Sequence, residues 1–273
     1  MVGHSASGMP QAVPPGPLWR GRGRLIACLL FATALAWAWL LAGAGMEMDA
    51  FEMTAMAGMD GWLMQPAVWS PGYAVLLIGM WWAMMAAMML PSALPVLLLF
   101  TRVTGGEPGP IARSGPSLWF ALGYLLAWGG FSVTATAMQW ALEATRLLSP
   151  MLETTHHGLG VVILVLAGAW QLTPVKRACL RHCQSPLGFI VGHWRDGASG
   201  ALRMGLRHGI YCLGCCWFLM LLLFFGGVMN LYWIVGLTAY VLLEKAVVPG
   251  NWLGRATGIL LIVCGIWLAI QAP

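Results

Sequence analysis

Residues 73–100 read YAVLLIGMWWAMMAAMMLPSALPVLLLF and contain no charged side chain. A helix needs about 20 consecutive apolar residues to cross the hydrocarbon core of a bilayer. This stretch exceeds that length. It therefore predicts a membrane-spanning helix.

The composition of the whole chain agrees with a membrane protein. Of its 273 residues, 60% are hydrophobic and 8% are charged, with a mean hydropathy of +0.79. Soluble domains usually carry about 25% charged residues. So little charge excludes a soluble enzyme, and a net charge of +5 is too small for a nucleic-acid-binding surface. The same hydrophobicity excludes a disordered chain.

Seven apolar stretches predict an all-α, polytopic membrane helix bundle of about seven transmembrane helices. The predicted spans are Leu25–Gly43, Tyr73–Phe100, Leu118–Leu142, Gly158–Thr173, Gly209–Met229, Leu231–Leu243 and Gly254–Ile270. With the N-terminus inside and the C-terminus outside, 13 of the 14 Lys and Arg residues fall on the inner side, and Arg146 alone falls outside. Enrichment of basic residues in inner loops supports this orientation.

The chain predicts one membrane domain preceded by a short tail. Residues 1–24 form a cytoplasmic tail rich in Pro, Gly and Arg, and residues 25–273 form the transmembrane domain. This domain includes an outer Met-rich loop at 44–72 and an inner Cys/His loop at 175–208. Ala42-Gly43-Ala44 also resembles a signal-peptide cleavage site, but the apolar run before it exceeds the usual ~7–15 residues, which favours an uncleaved first span.

The sulfur-containing side chains are unusually many and are clustered. The chain has 18 Met and 7 Cys. In the outer loop, the candidate ligands are Met46, Met48, Met53, Met56 and Met59, interspersed with acidic residues that would attract a cation. Thioether sulfur is a soft, neutral ligand that selects copper(I). The alternative is an amphipathic interfacial helix that uses Met for its adaptability.

The second predicted span carries another methionine cluster. Pro91 and Pro95 follow it and predict a kinked or opened helix, and broken helices at membrane depth usually line a site. Taken singly, each Met is better explained as apolar filler, but the density of the cluster favours a ligand role. The candidate ligands here are Met84, Met85, Met88 and Met89.

The fifth predicted span contains the sharpest signal in the chain. Cys212, Cys215 and Cys216 lie at positions i, i+3 and i+4, and Met220 follows one turn later. These spacings place four sulfur atoms along one side of a helix. Isolated buried cysteines behave as small hydrophobic residues, but three on one side of a helix favour a soft-metal site.

The inner loop adds Cys179, His182 and Cys183. Their spacing predicts an intracellular metal site, although this signal is weaker than that of the fifth span, and zinc is an alternative metal at the cysteines. A redox-active thiol pair is the rival interpretation of these cysteines. No catalytic residue is predicted, because the chain shows no Ser–His–Asp set, phosphate loop or paired intramembrane carboxylates.

Several motifs together resemble a bacterial family of uncharacterised proteins described as predicted metal-binding integral membrane proteins. The motifs lie between about residues 75 and 250. They are Trp82-Ala83-Met84-Met85-Ala86-Ala87-Met88-Met89-Leu90-Pro91, Gln171-Leu172-Thr173-Pro174-Val175-Lys176, Cys179 with Arg181-His182-Cys183, Gly209-Ile210-Tyr211-Cys212-Leu213-Gly214-Cys215-Cys216-Trp217, Gly227-Val228-Met229-Asn230-Leu231 and Glu244-Lys245. Gln184 departs from the Arg that the family pattern leads us to expect. The resemblance implies a metal-related membrane protein without an established activity.

The leading hypothesis from the sequence is a multi-pass protein of the bacterial inner membrane that binds copper(I) for transport, transfer or sensing. Its expected partners are the lipid bilayer, the metal ion and either a metal chaperone or another membrane subunit, with no nucleic acid. One alternative is a membrane thiol oxidoreductase or electron-transfer partner. Another is a non-catalytic membrane subunit that binds no metal.

Overall fold

The computed structural model of the chain describes residues 18–46, 48–56, 68–104, 115–149, 154, 156–247 and 251–271. These residues form helices and contain no strand, apart from an isolated bridge between Leu148 and Thr154. The predicted all-α class is therefore confirmed for the part of the chain that the structure describes. The helices are α1 (Leu18–Leu41), α2 (Ala50–Ala55), α3 (Pro71–Thr104), α4 (Gly115–Ala144), α5 (His157–Leu172), α6 (Pro174–Gln184), α7 (Pro186–His193), α8 (Gly197–Gly226), α9 (Leu231–Leu242) and α10 (Trp252–Gln271).

Four of these helices are long and apolar enough to cross a membrane by themselves: α3, α4, α8 and α10. A fifth candidate is the pair α5 and α6, which are bent by 65° at the break between them. The apolar part of α1, Ile26–Leu41, is shorter. Within the described residues, the structure therefore supports four or five membrane-crossing helices of the seven spans that the sequence predicts.

The opening of α3 that Pro91 and Pro95 predict is not found. Helix α3 continues without interruption through Pro91 and Pro95, and the Ser92 hydroxyl donates a hydrogen bond to the Met89 carbonyl at 2.8 Å. The chain instead breaks at Thr173–Pro174, where the Thr173 hydroxyl accepts a hydrogen bond from the Lys176 amide at 3.2 Å. Proline at the first position of a helix costs no hydrogen bond, so Pro174 starts α6 readily.

The segment 175–208 is helical and belongs to the bundle. It forms α6, α7 and the first turns of α8, so that α8 begins at Gly197, well before the predicted Gly209. Its apolar side chains Leu180, Phe189 and Met204 are buried in the main core. This burial brings the cysteines of α6 against the bundle.

Two pairs of helices approach closely through glycines. In the α4–α8 pair, a Cβ atom at Gly205 would overlap the Phe120 carbonyl, and one at Gly123 would overlap the Leu202 carbonyl. In the α5–α10 pair, a Cβ atom at Gly168 would lie 2.6 Å from the Gly258 carbonyl oxygen. Glycine therefore allows these backbones to meet.

We expect G205A to destabilise the protein by about 1–3 kcal/mol, because the added methyl group must force α4 and α8 apart. The measurement is thermal unfolding of the detergent-solubilised protein. The matched control is G130A, since Gly130 lies in α4 with no atom within 4 Å of its Cβ position. Equal melting temperatures for the two variants would contradict close α4–α8 packing.

Candidate metal centre

The sulfur atoms of α8 lie in the centre of the bundle. Cys212, Cys215, Cys216 and Met220 are all buried, with no more than 1% of any side chain exposed. The Cys215 and Cys216 thiols each donate a hydrogen bond to the Cys212 carbonyl at 3.0 Å. The helical spacing therefore gathers three thiols within one turn, as the sequence predicts.

Helix α6 adds further thiols to this group. It packs against α8 and brings the Cys183 thiol close to the thiols of Cys212 and Cys215. Cys179 lies one turn earlier, where the absence of a side chain at Gly214 lets its Sγ approach α8. We call Cys183, Cys212, Cys215 and Cys216 the thiol cluster; all four are free cysteines.

Two polar side chains meet the thiol cluster at Cys212. The Lys245 ammonium donates hydrogen bonds to the Cys212 Sγ at 2.9 Å and to the Ser92 hydroxyl at 3.3 Å. The Tyr124 hydroxyl lies 3.0 Å from the same sulfur and donates to the Met89 carbonyl at 3.1 Å. A cationic donor at this distance stabilises negative charge on sulfur. Cys212 is therefore the sulfur best prepared to act as a thiolate.

The methionines of α3 belong to the same buried core. Met84, Met85, Met88 and Met89 are completely buried. Met89 is linked to Cys212 through the single hydroxyl of Tyr124, which contacts both residues. This link runs through the Met89 backbone carbonyl, and the buried thioether side chains of α3 share the core with the thiol cluster.

The three candidate ligands of α6 lie in different surroundings. Cys183 joins the thiol cluster and Cys179 contacts Gly214. The His182 ring instead stacks on the Tyr211 ring, with centroids 4.0 Å apart and planes 6° from parallel. The structure thus brings Cys183 to the cysteines of α8 and directs the histidine toward an aromatic group.

The Met-rich loop is described in part, and Met59 lies outside the described residues. Met46, Met48, Met53 and Met56 are half-buried, and Met46 and Met53 pack against the main core. Two of the acidic residues cap α2, since the Asp49 carboxylate accepts from the Glu52 amide at 2.8 Å and the Glu52 carboxylate accepts from the Asp49 amide at 3.2 Å. These two carboxylates stabilise a helix terminus.

In the described ranges, no group of three or more His, Cys, Asp or Glu side chains is arranged to hold a metal ion. The thiols make hydrogen bonds to one another, to backbone carbonyls and to Lys245. Binding of an ion therefore requires these bonds to be exchanged for metal–sulfur bonds. The donors are suitable for a soft ion, because thiolate and thioether sulfur select copper(I).

A buried ion pair between Lys176 and Glu244 lies beside the thiol cluster, and it was not predicted from the sequence. The Lys176 ammonium of α6 donates to the Glu244 carboxylate and to the Gln171 side-chain oxygen. The Tyr240 hydroxyl donates to the same carboxylate at 3.4 Å, and Gln184 donates to the Glu244 carbonyl at 2.9 Å. The signal in the sequence is the Glu244-Lys245 dipeptide, whose two charges interrupt an apolar segment; such groups normally have partners.

Comparison with known proteins gives one family. A family model described as PpoB2, copper chaperone, matches residues 78–268. The chain belongs to this family. The match includes the whole thiol cluster, the α3 methionines and the buried ion pair, and it begins after the Met-rich loop. The match supports the metal-related character that the sequence resemblance implies. The family description differs, since the resemblance named predicted metal-binding integral membrane proteins. No curated protein and no solved structure matches the chain.

We expect K176M or E244Q alone to destabilise the protein by about 3–5 kcal/mol. K176M leaves the buried Glu244 carboxylate without its cation, and E244Q leaves the buried Lys176 ammonium without its anion. The double variant K176M/E244Q should lose much less unfolding free energy than the two single variants lose together. The measurement is a double-mutant cycle of unfolding free energies. Additive losses would contradict a direct Lys176–Glu244 interaction.

Proposed function

We propose that this protein binds copper(I) at the thiol cluster and transports, transfers or senses it across the bacterial inner membrane. The observation that carries this proposal is the meeting of three buried thiols of α8 with the half-buried Cys183 thiol of α6, in a member of a copper chaperone family. Copper is the cargo of the protein, and no catalytic residue is required. The family description supports copper; the oxidation state is inferred from the soft, sulfur-rich ligands.

The contacts around Cys212 suggest how an ion is accepted. A thiol must lose its proton to become a metal ligand, so copper binding releases protons. Lys245 and Tyr124 hold Cys212 in position before the ion arrives. When copper(I) bonds to the sulfur, the ammonium of Lys245 gives up that sulfur and keeps Ser92 as a partner. Cys183 and the remaining α8 thiols then complete a sulfur environment, with Met220 one turn away.

The other sulfur atoms define a proposed route for the ion. Met46, Met48, Met53, Met56 and Met59 capture copper on the outer side. Met84, Met85, Met88 and Met89 then pass it to the thiol cluster as neutral ligands that hold it weakly. On the inner side, Cys179 and His182 with Cys183 receive or sense the ion, and a metal chaperone or another membrane subunit is the partner there.

The membrane arrangement in this proposal keeps all seven spans. They are α1, α3, α4, α5, α8, α9 and α10, with the N-terminus inside and the C-terminus outside. The four long apolar helices and the bent pair α5–α6 support the arrangement. The concentration of basic residues on one side supports its direction.

We expect C212S/C215S/C216S to lose stoichiometric copper, because hydroxyl groups are poor ligands for a soft ion. The measurement is the copper content of purified protein after anaerobic loading with copper(I), followed by removal of weakly bound metal. The matched control is C28S/C264S, which removes two exposed cysteines outside the thiol cluster. This control should retain the copper content of the unmodified protein.

The same preparations distinguish the rival functions. Equal copper in both variants would contradict the proposed site. Zinc in place of copper at the cysteines would contradict the choice of metal. A thiol oxidoreductase predicts reversible Cys183 oxidation with no metal bound, because its thiol lies close to those of Cys212 and Cys215. A metal-free membrane subunit predicts neither copper nor redox-dependent alkylation.

A further inference from the structure

A cavity of about 340 Å³ lies where α7 ends and α8 begins. Three arginines, Arg195, Arg203 and Arg207, line it together with His193 and Trp194. We call this cavity the arginine pocket. No acidic residue lines it, so its walls present several positive donors to whatever occupies it.

The arginines of this pocket have no carboxylate partner among the described residues, in which the sole ion pair joins Lys176 and Glu244. The nearby Asp196 carboxylate instead accepts a hydrogen bond from the Trp194 indole at 2.9 Å. Arg203 and Arg207 lie four residues apart on α8, where like charges repel by about 0.2–0.5 kcal/mol. The charge arrangement therefore favours a bound anion.

The surroundings of the pocket indicate which kind of anion fits. Val191 precedes the pocket residue Gly192, and its side chain is 72% exposed. Leu206 and Ile210, next to Arg207 on α8, are also exposed apolar side chains. One part of a bound ligand would contact the arginines, and an adjoining part would contact the exposed apolar side chains. A phosphate group with attached acyl chains has this character, whereas a free phosphate uses the basic groups alone.

We propose that the arginine pocket binds the phosphate headgroup of an anionic phospholipid in the inner leaflet. Guanidinium groups bind phosphate through paired, charge-assisted hydrogen bonds. Basic pockets between helices at the cytoplasmic side of membrane proteins are suited to anionic headgroups, and the exposed Trp194 indole matches the aromatic side chains found at membrane interfaces. This inference rests on the proposed membrane orientation and is independent of copper binding.

The test is native mass spectrometry of the full-length, detergent-purified protein mixed with phosphatidylglycerol or with phosphatidylcholine. We expect retained phosphatidylglycerol and little phosphatidylcholine. R203Q/R207Q should lower phosphatidylglycerol binding about tenfold or more, because charge-assisted hydrogen bonds are removed. R203K/R207K should bind phosphatidylglycerol more strongly than R203Q/R207Q, since it keeps both charges, but less than the unmodified protein, since it loses the paired guanidinium hydrogen bonds. All variants are first compared by size-exclusion chromatography and thermal unfolding.

The matched control is R102Q/R255Q, which removes two exposed arginines outside the pocket and should bind phosphatidylglycerol normally. Equal losses in the control and pocket variants would overturn the proposal. Retention of inorganic phosphate without phosphatidylglycerol would also overturn it, in favour of a soluble anion. Copper content measured on R203Q/R207Q should be unchanged, which separates failure of this inference from failure of the copper proposal.

Discussion

Two buried charges of opposite sign on one helical turn constrain the centre of this protein. Glu244 and Lys245 are neighbours in the π-helical turn Leu243–Val247, and both are buried. Burying an unpaired charge costs several kcal/mol, so each must find a partner inside the bundle. Glu244 pairs with Lys176 of α6, and Lys245 reaches Cys212 of α8 and Ser92 of α3. One turn thereby ties three helices together.

The position of the thiol cluster follows from this constraint. Lys176 can meet Glu244 because the chain bends by 65° at Thr173–Pro174 and turns α6 back against the bundle. The same bend carries Cys183 to the cysteines of α8. On the other side, Lys245 and Tyr124 fix the Cys212 sulfur between α3, α4 and α8. The charges and the sulfur atoms thus form one connected interior.

Local patterns in the sequence predicted the parts of this interior that depend on a single helix. The i, i+3, i+4 spacing identified the buried cysteines of α8, and apolar length identified the main helices. Contacts between distant segments were not predictable. Nothing in the spacing of Cys179, His182 and Cys183 shows that Cys183 joins α8 while His182 stacks on Tyr211. The prolines also favoured an opened helix at Pro91 and Pro95, but α3 continues through both of them.

The thiol cluster is the proposed copper(I) site. Copper K-edge X-ray absorption of the anaerobically loaded, full-length protein tests it most directly, since it reports the oxidation state and the ligand atoms together. We expect a copper(I) edge and a first coordination shell of sulfur alone, supplied by thiolates with or without a thioether. A shell dominated by nitrogen or oxygen, or a copper(II) edge under these conditions, would contradict the assignment of the ion to the cysteines of α6 and α8.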